Sequence, residues 1–182
     1  MTKKNIIAIG FDLSLTGTGV VVLNDGKLTK QRLIKSKPIA DGKPIDEVRR
    51  IRKIVDELEL LVGDSTPSIA VIEGLAFGVR NATALVQLSA LNYMTRFMLM
   101  NYNIPFVIVA PTSLKKFITG NGAAKKDVML IETFKRYGVT ILNDNENDAY
   151  GLAQIGLALM DGNSKATTKV QEEVLKVLKK QI

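Results

Sequence analysis

Asn24-Asp25-Gly26 separates two β-rich runs near the start of the chain, and that turn constrains everything after it. Asn, Asp and Gly tolerate the positive φ of a tight hairpin, so the flanking runs read as antiparallel strands. Residues 6–10 and 19–23 form the first two strands. Between them lies FDLSLTGTG, small and turn-forming. Residues 28–36 return as a third strand. A three-stranded meander has apolar faces to cover, and the rest of the chain must supply the cover.

It does so by alternating helix and strand. After a loop at 37–43, residues 45–62 place Val48, Ile51, Ile54, Val55, Leu58 and Leu61 at helical spacing, with Gly63 and Pro67 as stop signals. Residues 68–73 are a continuous apolar run ending in a carboxylate, the pattern of a buried parallel strand. Residues 82–100 form a second long helix, whose Leu85, Leu88, Leu91, Met94, Phe97 and Met98 read as core, with a dimer contact as a second use. A buried strand at 105–110, a short helix at 112–117, a Gly-rich loop at 119–124 and a helix at 125–137 capped by Gly138 follow. The last core helix spans about 146–160. Residues 1–160 thus read as one domain, and 161–182 as a polar linker with an amphipathic helix marked by Val170, Val174, Val177 and Leu178. The fold class is α/β: a mixed five-stranded sheet, three antiparallel strands then two parallel, flanked by helices.

The 182 residues include no cysteine and no histidine. That excludes disulfides, thiolate and imidazole metal sites, and catalytic triads. Catalysis must rest on carboxylates, lysines, hydroxyls or a metal held by oxygen, which favours magnesium or manganese. A net charge of +7 suits an anionic partner. No apolar run reaches the length of a membrane span, and MTKKNIIAIG lacks a signal peptide's long apolar region, so a cytoplasmic chain is expected.

Three acids stand in apolar or tightly turned surroundings. Asp12 ends the first strand, Glu73 ends the run 69–72, and Asp148 opens the last core helix. Each has a plain structural alternative: Asp12 capping the turn after it, Glu73 as a solvated strand end, Asp148 answering the helix dipole. Together they suggest more, since strand ends and a helix start can meet at one sheet edge, where clustered carboxylates repel unless a cation lies between them.

These segments resemble the RuvC family of Holliday-junction resolvases, in the ribonuclease H-like superfamily. GFDLSLTGTGVVV is similar to its opening motif, IEGLAF to its second, DNENDAYGLA to its last, and GNGAAKKDVM to its loop and basic helix start. The resemblance implies a homodimeric, magnesium-dependent endonuclease, with manganese as a substitute, that nicks four-way DNA junctions by two-metal phosphodiester hydrolysis. Asp12, Glu73 and Asp148 would be catalytic metal ligands. The family often places a further acid where this chain has Asn145. Asp144, four residues before Asp148 and on the same helix face, takes that role instead, whereas Glu146 would point away.

DNA contacts are expected from Lys115 and Lys116, from Lys125 and Lys126 behind the loop 120–124, and from Phe77 and Arg80 after Glu73. Phe77 either stacks on a base or packs into the core. Gln87 and Asn92 stay open between DNA and dimer contacts. Two other functions remain: a non-catalytic junction-binding protein, and an actin- or sugar-kinase-like ATP-binding domain, for which DLSLTGTG would serve as the phosphate turn. Sequence does not choose between a four-way junction and other branched DNA.

Overall fold

The computed structural model describes residues 5–38, 42–75, 82–161 and 168–182. Strands β1 (Ile7–Asp12), β2 (Gly17–Asn24) and β3 (Lys27–Lys35) precede helix α1 (Pro44–Ser65), strand β4 (Ile69–Glu73) and helix α2 (Ala82–Asn101). Strand β5 (Phe106–Val109) leads to α3 (Pro111–Thr119), α4 (Lys126–Tyr137), α5 (Asp144–Asp161) and α6 (Lys169–Leu178), followed by a 3-10 turn at Lys179–Gln181. The sheet order is β3-β2-β1-β4-β5. β1, β2 and β3 pair antiparallel, and β4 and β5 add in parallel, which is the expected mixed sheet. In the β2–β3 turn Asp25 and Gly26 both take positive φ, and Asp25 Oδ1 accepts from the Ile6 amide at 2.9 Å.

Strand alternation assigns the two faces. Ile9 and Phe11 of β1, with Ala70 and Ile72 of β4, face a core completed by Ile51, Ile54, Val55 and Leu58 of α1 and Leu91, Met98 and Leu99 of α2. Ala8 of β1, with Ile69 and Val71 of β4, faces the other way, toward Leu152 and Ile155 of α5. α5 lies very close on that face. A Cβ on Gly10 would fall 2.1 Å from the Ala149 carbonyl oxygen, and one on Gly19 would fall 2.1 Å from the Asn145 carbonyl oxygen. The glycines of the opening segment are therefore needed by helix packing. Gly17 and Gly19 lie inside β2, so the turn itself is only Leu13–Thr16. A phosphate-cradling glycine turn is not what the GTG repeat builds.

Several boundaries move for identifiable reasons. α5 starts at Asp144, before the expected 146, because Asn143 Oδ1 accepts from the amides of Asn145 and Glu146 at 3.0 and 3.2 Å. α1 passes through Gly63, where a side chain would meet open space, and ends at Thr66 in the left-handed region, just ahead of Pro67. Val48, Phe97 and Val177, read as inward-facing, are exposed. Val174, Leu175 and Leu178 of α6 pack in the same cluster as β4, β5 and α3. The Gln181 side chain both accepts from the Ile108 amide at 2.9 Å and donates to its carbonyl at 3.0 Å, covering part of the free edge of β5.

Candidate metal centre and nucleic-acid interface

Strand parity decides which way the acids point. Asp12 shares the α5 face with Ala8 and Gly10, and Glu73 shares it with Ile69 and Val71. Phe11 pairs with Ile72, so the next residues on the two strands, Asp12 and Glu73, are neighbours at the carboxyl edge of parallel strands. Each carboxyl group therefore bears directly on the ionisation of the other. Asp148, in the second turn of α5, reaches the same place: its charge acts on Glu73, and that of Asp12 acts on it. Asp12 is only 8% exposed.

Burial and mutual repulsion set the protonation of this group. Burial lifts Asp12 to about 6, against the pull of its bond to Glu73 and the charge of Lys126. Burial lifts Glu73 further, to about 9, reinforced by Asp12 and Asp148 and opposed by Lys115. Burial and then Asp12 push Asp148 up to about 7. The neutral form of Glu73 is thereby favoured, since two adjacent desolvated carboxylates cannot easily both stay ionised. Asp144 stands at the rim, in an ion pair with Lys126 at 3.1 Å that keeps the lysine charged more firmly than usual.

The donor set suits a hard divalent cation: all oxygens, three of the acids largely buried, with a charge excess that a cation would relieve. No group of three or more carboxylates among the described residues already has the spacing to hold one ion. Asp12 and Glu73 meet as neighbours on parallel strands, with Asp148 and Asp144 beside them.

The model described as "Crossover junction endodeoxyribonuclease RuvC" matches residues 7–155.

This chain belongs to the RuvC family.

Two relatives bear the same description, crossover junction endodeoxyribonuclease RuvC. That of Chloroherpeton thalassium is 25% identical over 96% of this chain and 91% of its own length, and that of Brachyspira hyodysenteriae is 28% identical over 81% and 91%. Among solved structures, Thermus thermophilus RuvC in complex with a Holliday junction substrate superposes with a TM-score of 0.70 at 16% identity, covering 81% of this chain and 90% of that one. The yeast mitochondrial Holliday junction resolvase Ydc2 gives 0.56 at 12% identity, covering 95% and 81%. These two likenesses show a shared fold. No helix among the described residues is long and apolar enough to cross a membrane.

Within this RuvC-family frame the expected site residues separate. Asp12, Glu73 and Asp148 come together, with Asp144 at the rim. Lys115 and Lys126 face the acids, whereas Lys116 turns away to pair with Glu173 of α6 at 2.9 Å, and Lys125 is an exposed N-cap of α4. The loop amides of Ala123 and Ala124 are bonded to Asn121, so they do not project toward a phosphate. Phe77 and Arg80 lie outside the described residues. Asp12 does not cap its turn: Thr18 Oγ1 accepts from the Ser14 amide at 3.1 Å and donates to the Ser14 carbonyl at 2.7 Å. Asp148 lies beyond the first turn of its helix, where the dipole falls away.

Two further residues support the site: Arg50, which the sequence reading missed, and Asn92, which it left open between DNA and dimer contacts. Arg50 of α1 donates to Ser36 Oγ at 2.8 Å and to the Leu15 carbonyl, holding the turn that follows Asp12. Asn92 of α2, buried, donates to the Glu73 carbonyl at 3.4 Å. A polar residue on the apolar face of α2 was the available signal for Asn92. Arg50 offered none, because arginines crowd the exposed face of α1.

Proposed function

We propose that this chain is a homodimeric, divalent-metal-dependent endonuclease that nicks branched DNA, with the four-way junction as its principal substrate. The observation that carries this reading is the convergence of Asp12, Glu73 and Asp148 from three separate elements, faced by Lys115 and Lys126. Asp12, Glu73, Asp144 and Asp148 would hold magnesium, for which manganese would substitute, and the metal would supply charge neutralisation at the scissile phosphate and an activated water. Lys115 favours the ionised form of Glu73 that a ligand role would need. Lys126, tethered to Asp144, is placed to exchange that partner for an incoming phosphate. A phosphodiester offers side chains little beyond such positioning and charge neutralisation, so a site without histidine suffices.

Homodimer formation is supported by α2. Val86, Ala90, Tyr93, Phe97 and Met100 are exposed and fall at alternating spacings of four and three, the pattern of a helix-pairing seam. A second copy bearing the same stripe is its natural complement, and twofold symmetry would present two acid clusters to a symmetric junction. The family's junction-cleaving relatives and the Thermus thermophilus RuvC complex with a Holliday junction support the choice of substrate.

The test is a nicking assay on a four-way junction and a matching linear duplex, with magnesium. Symmetric nicks in the junction, lost in Asp12→Asn, are expected. Binding without nicking would return the scaffold reading, and ATP hydrolysis without DNA cleavage would return the nucleotide-binding one.

A further inference from the structure

A basic cleft lies on the acid-cluster edge of the sheet but outside the acid cluster. It has a volume of about 330 Å³ and runs between the end of β3 and the first turns of α1. Five cations line it, Lys35, Lys37, Arg49, Arg50 and Lys53, against two carboxylates. One of these, Asp46, is already committed: it accepts from the Lys43 amide at 3.0 Å and from Arg49 at 3.2 Å. Lys35, Lys37 and Lys53 have no ion-pair partner among the described residues. The cleft therefore carries a net positive charge that nothing within the described chain answers.

Its position follows from sheet register. Asp12 pairs with Gly19, and Gly17 pairs with Lys35, so the ends of β1, β4 and β3 and the start of β2 share one edge. Two strand spacings and two residues of stagger put the backbone of Lys35 roughly 12 Å from that of Asp12 across the sheet. A nucleic-acid strand winds around its axis, so successive phosphates lie about twice as far apart as the 3.4 Å axial rise, and the span is about two steps of one strand. Arg50 makes the link rigid. Its guanidinium floors the cleft while donating to Ser36 and to Leu15, in the turn directly after Asp12.

We propose that this cleft binds the phosphate backbone of a duplex arm about two steps from the scissile phosphate, as a second anchor for the DNA. The inference rests on the nuclease reading and adds a subsite to it. The chemistry suits backbone contact: flexible, solvent-exposed ammonium groups act as point charges and read no sequence. An open groove on the cluster's edge suits a continuous polyanion better than a small free anion, which would need a closed set of converging donors. The anchor fixes register, so that the phosphate at the acids is selected by distance along the arm.

The test uses the full chain carrying Asp12→Asn, so that the DNA stays intact, and measures junction affinity as a function of salt with magnesium present. Adding K37Q/K53Q is expected to reduce the slope of log affinity against log salt by about 3.6 for a dimer on one junction, from two lysines in each protomer at about 0.9 per contact. K27Q removes a lysine at the opposite end of β3 and is expected to leave the slope unchanged. Uncharged methylphosphonate linkages at the second and third phosphates from the nick should reproduce the loss with Lys37 and Lys53 present and add nothing further to K37Q/K53Q. An unchanged slope in K37Q/K53Q, or fully additive losses, overturns the proposal. So does a thermal shift with inorganic phosphate alone that K37Q/K53Q abolishes, which would make the cleft a free-anion site. A wild-type chain that neither binds nor nicks junctions defeats the nuclease reading itself, whereas normal nicking with an unaltered slope defeats the cleft alone.

Discussion

The side-chain amide of Asn145 donates to the backbone carbonyl of Gly17 at 2.7 Å, joining the first turn of α5 to the start of β2. The position where the family often carries an acid is thus occupied by a structural clamp, and Asp144 takes the rim of the cluster. Asn145→Asp is expected to lower stability by about 1 kcal/mol, because a carboxylate would face a carbonyl where a donor now stands. Junction nicking should stay within a few-fold of wild type, since the added charge points at Gly17. Thermal melting and a nicking time course check both, and a tenfold gain in rate would contradict this assignment.

Gly10→Ala tests the contact that sets the depth of α5. Its methyl group would fall 2.1 Å from the Ala149 carbonyl oxygen and 2.6 Å from the Ala153 amide nitrogen, both backbone atoms that cannot rotate away. α5 must shift outward, at a cost of about 1–3 kcal/mol or more. Asp148 and Asp144 would move with it. The expected result is a lowered melting temperature together with a weaker thermal response to manganese than wild type shows.

The raised acids predict how stability follows pH. Asp12, Asp148 and Glu73 titrate near 6, 7 and 9 in the folded chain, against ordinary values near 4. The folded state therefore binds more protons than the unfolded chain between about pH 4 and 9. Their contribution is fully present below pH 4 and is lost as pH rises through the folded values. Melting temperature without divalent ions should fall from pH 5 to pH 9. Magnesium or manganese should restore it, with a larger effect at pH 8 than at pH 5, because protons compete with the metal. Asp12→Asn should flatten the pH dependence while abolishing nicking.

Phe97→Glu tests the exposed seam of α2. A charge in the middle of the stripe formed by Val86, Tyr93, Phe97 and Met100 should shift the chain from dimer to monomer in sedimentation, with little change in secondary structure, because Phe97 lies outside the core. A Phe97→Glu chain that sediments as wild type would remove α2 as the interface.

Leu175→Ala tests whether α6 is integral to the domain. Leu175 packs in the cluster that contains β4, β5 and α3. A loss of about 2–5 kcal/mol is expected from denaturant unfolding, in a single transition. A second, separate transition would mark α6 as an independent appendage.

Periodicity and turn chemistry in the amino-acid order alone specified the meander, the alternating helices and strands, the burial of β4, and the identity of Asp12, Glu73 and Asp148 as acids in costly surroundings. These are local properties: a period of two or 3.6, a turn residue, a carboxylate after an apolar run. Tertiary structure decided the rest. Val48 and Phe97 match the helical period as well as their buried neighbours do, yet face outward, because the sheet covers only part of each helix. Lys115 and Lys116 are adjacent in sequence but turn to different partners, one toward the acids and the other toward Glu173. Asn145 became a clamp because β2, more than a hundred residues earlier, passes beneath α5 closely enough to offer the Gly17 carbonyl. Contacts between distant segments depend on how closely their backbones approach, and no window of sequence contains that distance.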